Sequence, residues 1–280
     1  MALHRLGAIS LLAGLLMACA PALEPLAARV KGEPITLAEF ERQAAQAEAF
    51  LRSRGGPDLE QRVAQARRQV LEQLIDRALV RQAAPQLGVV LEEAAVEAPL
   101  QEAIVEMGGE EAFRTHLTEI GLTQEQFRQE LEQELLFSKV LEALTAPLPT
   151  AEEQVHLRQI LVDSPAIAQE VLARYEAGEE LSFLATVHSL DAASRESGGD
   201  LGFVPQGVLP TEVEQAAFAL ELGQVSQPIE TPWGVYIIQV IARELRELPP
   251  EILEGRRLQV YQDWIAELRA AAVIERFIDG

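Results

Sequence analysis

The chain has 280 residues, 48% of them hydrophobic, and its 23 Lys and Arg against 44 Asp and Glu give a formal net charge of −21. This length can bury a sizeable core in one large or two modest domains. The acidic excess excludes nucleic acid as a partner, because neutralising phosphates requires clustered Lys and Arg. The surplus carboxylates are interpreted as a solvated surface.

The N-terminal segment has the layout of an export signal. Arg5 is followed by an apolar stretch, Leu6–Ala18, and then by Cys19. At about 13 residues, this stretch is too short for a spanning helix, which needs about 20. We expect residues 1–18 to be a signal peptide and residues 19–27 a tether. The tetrad LMAC, which ends in Cys19, resembles the bacterial lipobox, in which the cysteine becomes a lipidated N-terminus. Cys19 as an incidental signal-peptide residue remains the alternative.

Helical periodicity dominates the next region. Capping boxes open two helices, at Thr36–Glu39 and at Thr123–Gln126. Between them, apolar residues recur at three-and-four spacing from Leu59 to Ala84. These amphipathic faces need partners, so we expect an all-α domain over residues 28–148.

The periodicity changes after the proline-marked boundary Thr145–Thr150. Val155–Val162 and Gly234–Glu244 are rich in β-branched residues and predict two strands that are adjacent in one sheet. We therefore expect an α+β domain over residues 154–244. The intervening helices are predicted at Ile167–Glu176, at Ser182–Val187 and at a capping box formed by Thr211 with Glu214.

A final helix follows Leu248–Pro250. It carries apolar side chains on one face and has no partner within the α+β region. We expect residues 248–280 to return and pack on the helical domain. The residues of this face are Tyr261, Trp264, Ile265 and Leu268.

Common catalytic signatures are missing from the sequence. His188, Ser189 and Asp191 supply the residue types of a triad, but no G-x-S-x-G elbow presents a nucleophile. The four histidines show no ligand spacing such as H-E-x-x-H, and Cys19 has no cysteine partner, so a metal site is not expected. Neither a Walker loop nor G-x-G-x-x-G is present. No cofactor is predicted.

Three segments together carry a specific resemblance. LRQILV, FLATVHSLDAASRESGGDLGFVPQGVL and VEQAAFALELGQVSQPIETPWGVYIIQV resemble the parvulin family of peptidyl-prolyl isomerases over residues 154–244. ARVKGEPITLAEF and the helical region resemble the N-terminal half of the SurA and PrsA class of exported chaperone foldases. The resemblance implies an α+β fold, with an FKBP-like parvulin domain and its antiparallel sheet inserted in an all-α chaperone domain.

The resemblance also implies the site residues. Asp191 falls at the family's central position, which is acidic or a cysteine and lies beside the substrate carbonyl. Gly198 and Gly199 frame one wall of a shallow groove, because they adopt backbone conformations closed to other residues, and Leu201 anchors that turn in the core. The residues implied for substrate binding are Leu209, Val213, Phe218 and Phe203.

Two positions depart from the family pattern. Active parvulins commonly carry histidines where this chain has Gln159 and Tyr236. Isomerisation needs no proton transfer, so the amide and the hydroxyl group can still orient Asp191 through hydrogen bonds. The expected protein is a membrane-tethered isomerase and chaperone for exported proteins with Xaa-Pro segments. The alternatives are a non-catalytic chaperone, whose parvulin domain only binds client peptides, and an assembly factor for one envelope partner.

Overall fold

The computed structural model describes residues 24–279, so the predicted signal peptide and Cys19 lie outside the described residues. The described chain divides into two compact units, one formed by residues 24–140 with 263–279 and the other by residues 141–262. The predicted domain limits stay a prediction. Among residues 24–279, no helix combines the length and the apolar character that a membrane crossing requires.

Two short strands, five α-helices and one 3-10 helix, Ala84–Leu87, form the described chain up to Thr145. Both predicted N-caps are made: Glu39 N donates to Thr36 Oγ1 at 3.1 Å, which is one of the two bonds of a capping box, and the Thr123–Gln126 box is reciprocal, at 2.8 and 3.2 Å. The elements are β1 (Leu26–Val30), β2 (Glu33–Thr36), α1 (Leu37–Arg54), α2 (Leu59–Ala83), α3 (Glu93–Glu106), α4 (Glu110–Glu119) and α5 (Gln124–Thr145).

The rest of the described chain forms five strands, four α-helices and one 3-10 helix, Arg195–Ser197. One predicted capping box is wrong: α8 begins at Thr211 as predicted, but Pro210 occupies its N-cap and no side chain caps that helix. Glu214 instead accepts a hydrogen bond from the N–H of Gly207, in the preceding loop. The elements are β3 (Ala151–Val162), α6 (Pro165–Glu176), α7 (Leu181–His188), β4 (Asp200–Val204), α8 (Thr211–Ala219), β5 (Ile229–Thr231), β6 (Gly234–Glu247), α9 (Pro250–Ala271) and β7 (Ile274–Arg276).

The core of the first unit lies between α1, α2 and β1. Phe40, Ile75 and Leu79 are among its fully buried side chains, and Leu268, near the end of α9, packs against it. Beside this contact, the Arg269 guanidinium donates to carboxylates of α2. The end of α9 is therefore attached to this core by both apolar and charged contacts.

The first unit also contains a small antiparallel sheet, with strand order β2-β1-β7. The expectation of an all-α domain therefore needs a correction. Arg29 and Glu275 are register partners although they are 246 residues apart. A pairing over that separation leaves no local sequence pattern, and β7 has only three residues, so periodicity could not predict this sheet.

The second unit is built on a four-stranded antiparallel sheet, with strand order β4-β3-β6-β5. β3 and β6 pair along their whole length, from Ala151 opposite Glu247 to Val162 opposite Val235. The α+β fold class with an antiparallel parvulin sheet is thus confirmed. Because side chains alternate along a strand, one face of the sheet packs against α6 and α7 and the other against α8.

Candidate active site

The site is centred on the carboxylate of Asp191, in the polar loop between α7 and β4. Its Oδ2 atom accepts a hydrogen bond from Gln159 Nε2 at 2.8 Å and another from the Ser194 hydroxyl. Its Oδ1 atom accepts one from the N–H of Ala193 at 3.4 Å. Partial burial raises the pKa of Asp191, but the hydrogen bonds from Ser194 and Gln159 outweigh burial and hold that pKa below its ordinary value. The carboxylate is therefore ionised at neutral pH.

A buried serine fixes this loop to strand β3. Ser189 is 2% exposed, and its Oγ accepts hydrogen bonds from the backbone N–H groups of Leu161 and Asp191, both at 3.2 Å. The N–H of Leu190 then donates to the carbonyl oxygen of Leu161 at 2.7 Å. The main chain thus sets the position of Asp191. Neither Ser189 nor Ser194 was predicted to hold the loop, because hydroxyl residues in a polar loop carry no spacing signal.

The doubled glycine lets the loop return close to β3. Gln159 N donates to the Gly199 carbonyl oxygen at 2.8 Å, and a Cβ on Gly199 would lie 2.2 Å from the Gln159 carbonyl oxygen. Gly198 and Gly199 have φ angles of +67° and +78°, a region in which side chains are strained. Glycine is therefore required at position 199 both for space and for backbone conformation.

Tyr236 lies on β6, next to the strand that carries Gln159. Its Cα is the register partner of Leu161, and the residue is 8% exposed. Burial and the charge of Asp191 raise the pKa of Tyr236, so the phenol keeps its proton at neutral pH and its hydroxyl can donate a hydrogen bond. Both Gln159 and Tyr236 were predicted to orient Asp191. Within residues 24–279, Gln159 donates a hydrogen bond to Asp191, whereas the Tyr236 hydroxyl donates no hydrogen bond to Asp191.

An apolar cluster adjoins these polar groups on the α8 face of the sheet. Three of the four predicted substrate-binding residues meet in it: Val213 is fully buried, and Leu209 and Phe218 are partly buried. Tyr236 belongs to the same cluster. Leu201, which was predicted only to anchor the turn, packs there as well. The structure thus brings a phenol and a set of apolar side chains to one surface beside Asp191.

Phe203, the fourth predicted substrate-binding residue, lies elsewhere. A β-bulge between β3 and β4 leaves Leu201 without a register partner and changes the direction of the strand beyond it. Phe203 therefore lies opposite His156, with ring centroids 5.1 Å apart, and the Arg246 guanidinium is 4.2 Å from its ring centroid. In the described chain, these side chains do not belong to the apolar cluster of the α8 face. Phe203 as a substrate-binding residue stays a prediction.

Two protein families match separate parts of the chain. Residues 15–141 match the SurA-like N-terminal domain, and residues 158–242 match the PPIC-type PPIase domain, a peptidyl-prolyl isomerase domain. The second match contains Gln159, Asp191 and Tyr236, together with Val213 and most of the apolar cluster around it.

Relatives extend the similarity across both regions. The foldase protein PrsA of Halalkalibacterium halodurans is 30% identical over 228 residues, which cover 73% of this chain and 68% of that protein. The chain belongs to the PrsA foldase family. The PrsA foldase of Caldanaerobacter subterraneus subsp. tengcongensis is 27% identical over 229 residues, 74% of this chain and 70% of that protein. The chaperone SurA of Chromobacterium violaceum is 32% identical over 159 residues, 50% of this chain and 37% of that protein.

Among solved structures, the peptidylprolyl isomerase PrsA from Bacillus cereus is similar to this PrsA-family chain. It is 22% identical, and the similarity covers 88% of this chain and 87% of that one with a TM-score of 0.48. The family matches confirm the resemblance to the SurA and PrsA class. This PrsA-family protein is a peptidyl-prolyl isomerase and a folding chaperone.

Proposed function

We propose that Asp191, Gln159 and Tyr236 catalyse cis/trans isomerisation of Xaa-Pro bonds in unfolded client proteins. The observation that carries the proposal is the hydrogen bond from Gln159 to an ionised Asp191 beside the apolar cluster. In this arrangement, the partly buried Leu209 and Phe218 contact the proline ring, which is apolar and has no N–H group, and the buried Val213 supports them from beneath. The carboxylate then faces the carbonyl group of the residue before proline.

Rotation about this peptide bond breaks no covalent bond. It must overcome about 18–20 kcal/mol because the twisted form loses amide resonance. Resonance places negative charge on the carbonyl oxygen, so an ionised Asp191 beside that oxygen destabilises the planar forms more than the twisted form. Partial exclusion of water strengthens this difference. A thousandfold acceleration requires only about 4 kcal/mol of differential stabilisation.

The Tyr236 hydroxyl supplies a complementary interaction. When resonance is lost, a lone pair returns to the proline nitrogen, which can then accept a hydrogen bond from an O–H group. The raised pKa of Tyr236 keeps this donor protonated at neutral and mildly alkaline pH. Since no proton is transferred, Gln159 can replace a histidine: its N–H group holds Asp191 in place.

An isomerisation assay on proline tetrapeptides, followed by NMR exchange, tests this proposal. We expect the purified protein to accelerate exchange and the Asp191→Ala variant to lose most of the acceleration. Suppression of aggregation of an unfolded client is measured in parallel. If the protein suppresses client aggregation but does not accelerate proline isomerisation, the result would instead support a non-catalytic chaperone whose parvulin domain only binds client peptides.

The proposal includes export and a lipid anchor on Cys19, with the protein on the extracytoplasmic side of a membrane and unfolded or nascent exported proteins as its clients. The LMAC tetrad after an apolar stretch supports this. Each buried methylene of an acyl chain contributes about 0.8 kcal/mol, so a multiply acylated cysteine anchors stably. Mass spectrometry of the mature N-terminus should find a lipid-modified Cys19. An unmodified N-terminus beyond residue 19 would contradict the anchor.

A further inference from the structure

Arg243, on β6, closes the C-terminal end of α8, the helix that carries part of the apolar cluster. Its Nη2 atom donates to the carbonyl oxygens of Ala217, Phe218 and Leu220, at 3.0, 3.1 and 2.6 Å. α8 ends at Ala219, and the last carbonyl groups of a helix have no partners within it. Arg243 therefore binds carbonyl groups that the helix itself leaves without partners.

A cation is favourable at this position. The C-terminal end of a helix carries partial negative charge, which a positive side chain stabilises. The Arg243 side chain is 20% exposed, and its Nη1 atom donates to Glu153 Oε1 at 3.2 Å. Because a guanidinium group presents several N–H donors in a rigid planar fork, one arginine can hold several carbonyl groups at the same time.

The same guanidinium group contacts Phe218 at two places. Nη2 binds the carbonyl oxygen of Phe218, and Cζ lies 6.0 Å from the centroid of the Phe218 ring. That second distance is at the limit for an attraction between a cation and an aromatic ring, so the hydrogen bond to the main chain is the stronger of the two contacts. Phe218 is partly buried in the apolar cluster. The position of its ring therefore depends on Arg243.

Arg243 lies far along the strand from the proposed catalytic groups. Its Cα is the register partner of Val155, whereas that of Tyr236 pairs with Leu161. The seven residues from Tyr236 to Arg243 span about 23 Å of β6, at 3.3 Å per residue. An effect of Arg243 on the reaction must consequently act through α8 and Phe218.

We propose that Arg243 is a positioning residue, which holds the Phe218 ring against the client proline by binding the C-terminal carbonyl groups of α8. This inference rests on the proposed function, in which Phe218 contacts the proline ring, and adds a residue outside the site to it. Rotation about the peptide bond leaves the proline ring intact, so this contact is present in the planar and twisted forms alike. Arg243 therefore acts on client binding, measured as KM, and not on kcat.

The Arg243→Met variant tests this proposal, because methionine keeps a long side chain but removes the charge and the N–H donors. NMR exchange over a series of tetrapeptide concentrations gives kcat and KM, and an NMR titration gives Kd. We expect KM and Kd to rise about tenfold, while kcat changes by less than about twofold. If Arg243 only stabilised the fold, the folded fraction and the apparent kcat would fall and KM would stay unchanged. That result would overturn the proposal.

Arg243→Lys is a second, more conservative variant. Lysine keeps a positive charge at the end of α8 but replaces the planar fork by one ammonium group. We expect KM to rise less than in Arg243→Met, again without a loss of kcat. If Arg243→Met does not fold, the lysine variant decides the proposal. A raised KM would support it, and the KM of the unmodified protein would overturn it.

Two controls separate the contacts with α8 from other charges on these strands. Arg246→Met is the same substitution on the same strand, at a guanidinium group that lies 4.2 Å from the ring centroid of Phe203. Glu153→Gln removes the charge of the exposed partner of Nη1 and leaves the Arg243 side chain in place. Both controls should keep the KM of the unmodified protein. An equal rise of KM in either control would overturn the proposal.

The outcomes distinguish this proposal from the proposed function. If the unmodified protein isomerises the peptide and Arg243→Met keeps its kcat and KM, only the role of Arg243 is wrong. If the unmodified protein binds the peptide without isomerising it, the proposed function fails and Kd decides the role of Arg243. Weaker binding by Arg243→Met would then support that role, and equal binding would overturn it. If the unmodified protein does not bind the peptide, both proposals are overturned.

Discussion

Gln159 Nε2 lies 2.8 Å from Asp191 Oδ2, and this hydrogen bond joins the buried strand β3 to the loop that carries the carboxylate. The resemblance to active parvulins places a histidine at this strand position. An amide gains or loses no proton near neutral pH, so its hydrogen bond to Asp191 does not depend on pH there. The charge arrangement of the site is consequently constant across the neutral range.

The first prediction concerns pH. The pKa of Asp191 is lowered and that of Tyr236 is raised, so neither group titrates near neutrality. We expect kcat/KM for a proline peptide to stay constant between about pH 5.5 and 8.5. Asp191 takes up a proton only in acid, where the stability that its lowered pKa contributes is also lost. NMR exchange at stepped pH checks this. A transition centred near pH 6.5, the ordinary pKa of histidine, would contradict it.

The second prediction separates the charge of Asp191 from its structural role. Asp191→Asn keeps an oxygen that can accept the Gln159 and Ser194 hydrogen bonds but removes the negative charge. We expect it to lower turnover by about a hundredfold, nearly as much as Asp191→Ala, because the effect is electrostatic. Asp163→Asn, also at this end of the sheet, should change turnover little. Full turnover in Asp191→Asn would show that the charge is not catalytic.

Client capture by the Asp191 variants gives the third prediction. We expect aggregation of an unfolded client to be suppressed as well by Asp191→Asn as by the unmodified protein. The charge acts on the planar and twisted forms of one peptide bond, whereas capture depends on apolar surface. Light scattering of an aggregating client measures this. An equal loss of capture and turnover would mean that Asp191 serves the structure of the loop.

The fourth prediction tests the close approach at Gly199. An alanine there would place its Cβ 2.2 Å from a backbone oxygen, at a φ of +78°. Because the backbone must shift, we expect Gly199→Ala to lower the free energy of unfolding by about 3 kcal/mol or more. Gly202→Ala is the control: its φ is +68° but no atom lies within 4 Å of the new Cβ. Gly202→Ala should lower the free energy of unfolding, measured by urea denaturation, only by the conformational strain of about 1–2 kcal/mol. Equal losses would contradict the steric explanation.

The fifth prediction concerns the end of α9. Arg269 donates to Asp76 Oδ1 and to Glu72 Oε2, both at 2.6 Å, and its side chain is 29% exposed. We expect Arg269→Ala to lower the unfolding free energy of the first unit by about 1–3 kcal/mol, since two charge-assisted hydrogen bonds are lost. Arg114→Ala, which removes an exposed pair with Glu110 in the same unit, should cost under about 0.5 kcal/mol. Hydrogen exchange of the β1 amides measures both. Equal effects would contradict a specific role of Arg269.

Local patterns predicted most of the elements. The N-cap bonds of Thr36 and Thr123 and the three-and-four spacing along α2 depend on neighbouring residues, and the structure contains all three. The capping box at Thr211 failed because the preceding proline took the N-cap position. The N-cap prediction from the Thr211–Glu214 spacing was therefore wrong because the adjacent Pro210 takes that position.

Contacts between residues that are distant in the sequence could not be predicted from local patterns. The pairing of β7 with β1 and the bulge at Leu201 depend on tertiary packing, and the bulge is what separates Phe203 from the apolar cluster. Ser189 was missed for a related reason: its hydroxyl acts on the backbone of β3, which is remote in sequence. The structure brings Leu209, Val213 and Phe218 together in one apolar cluster. Their predicted role in binding, however, came from the family resemblance and not from a sequence pattern.

The position of a bound proline ring tests the site most directly. A tetrapeptide labelled with ¹³C in the pyrrolidine ring is added to the protein, and intermolecular NOEs from the ring protons are recorded. We expect NOEs to the methyl groups of Leu209 and to the ring of Phe218. NOEs to the rings of Phe203 and His156 instead would place the client on the other side of the bulge and contradict the site.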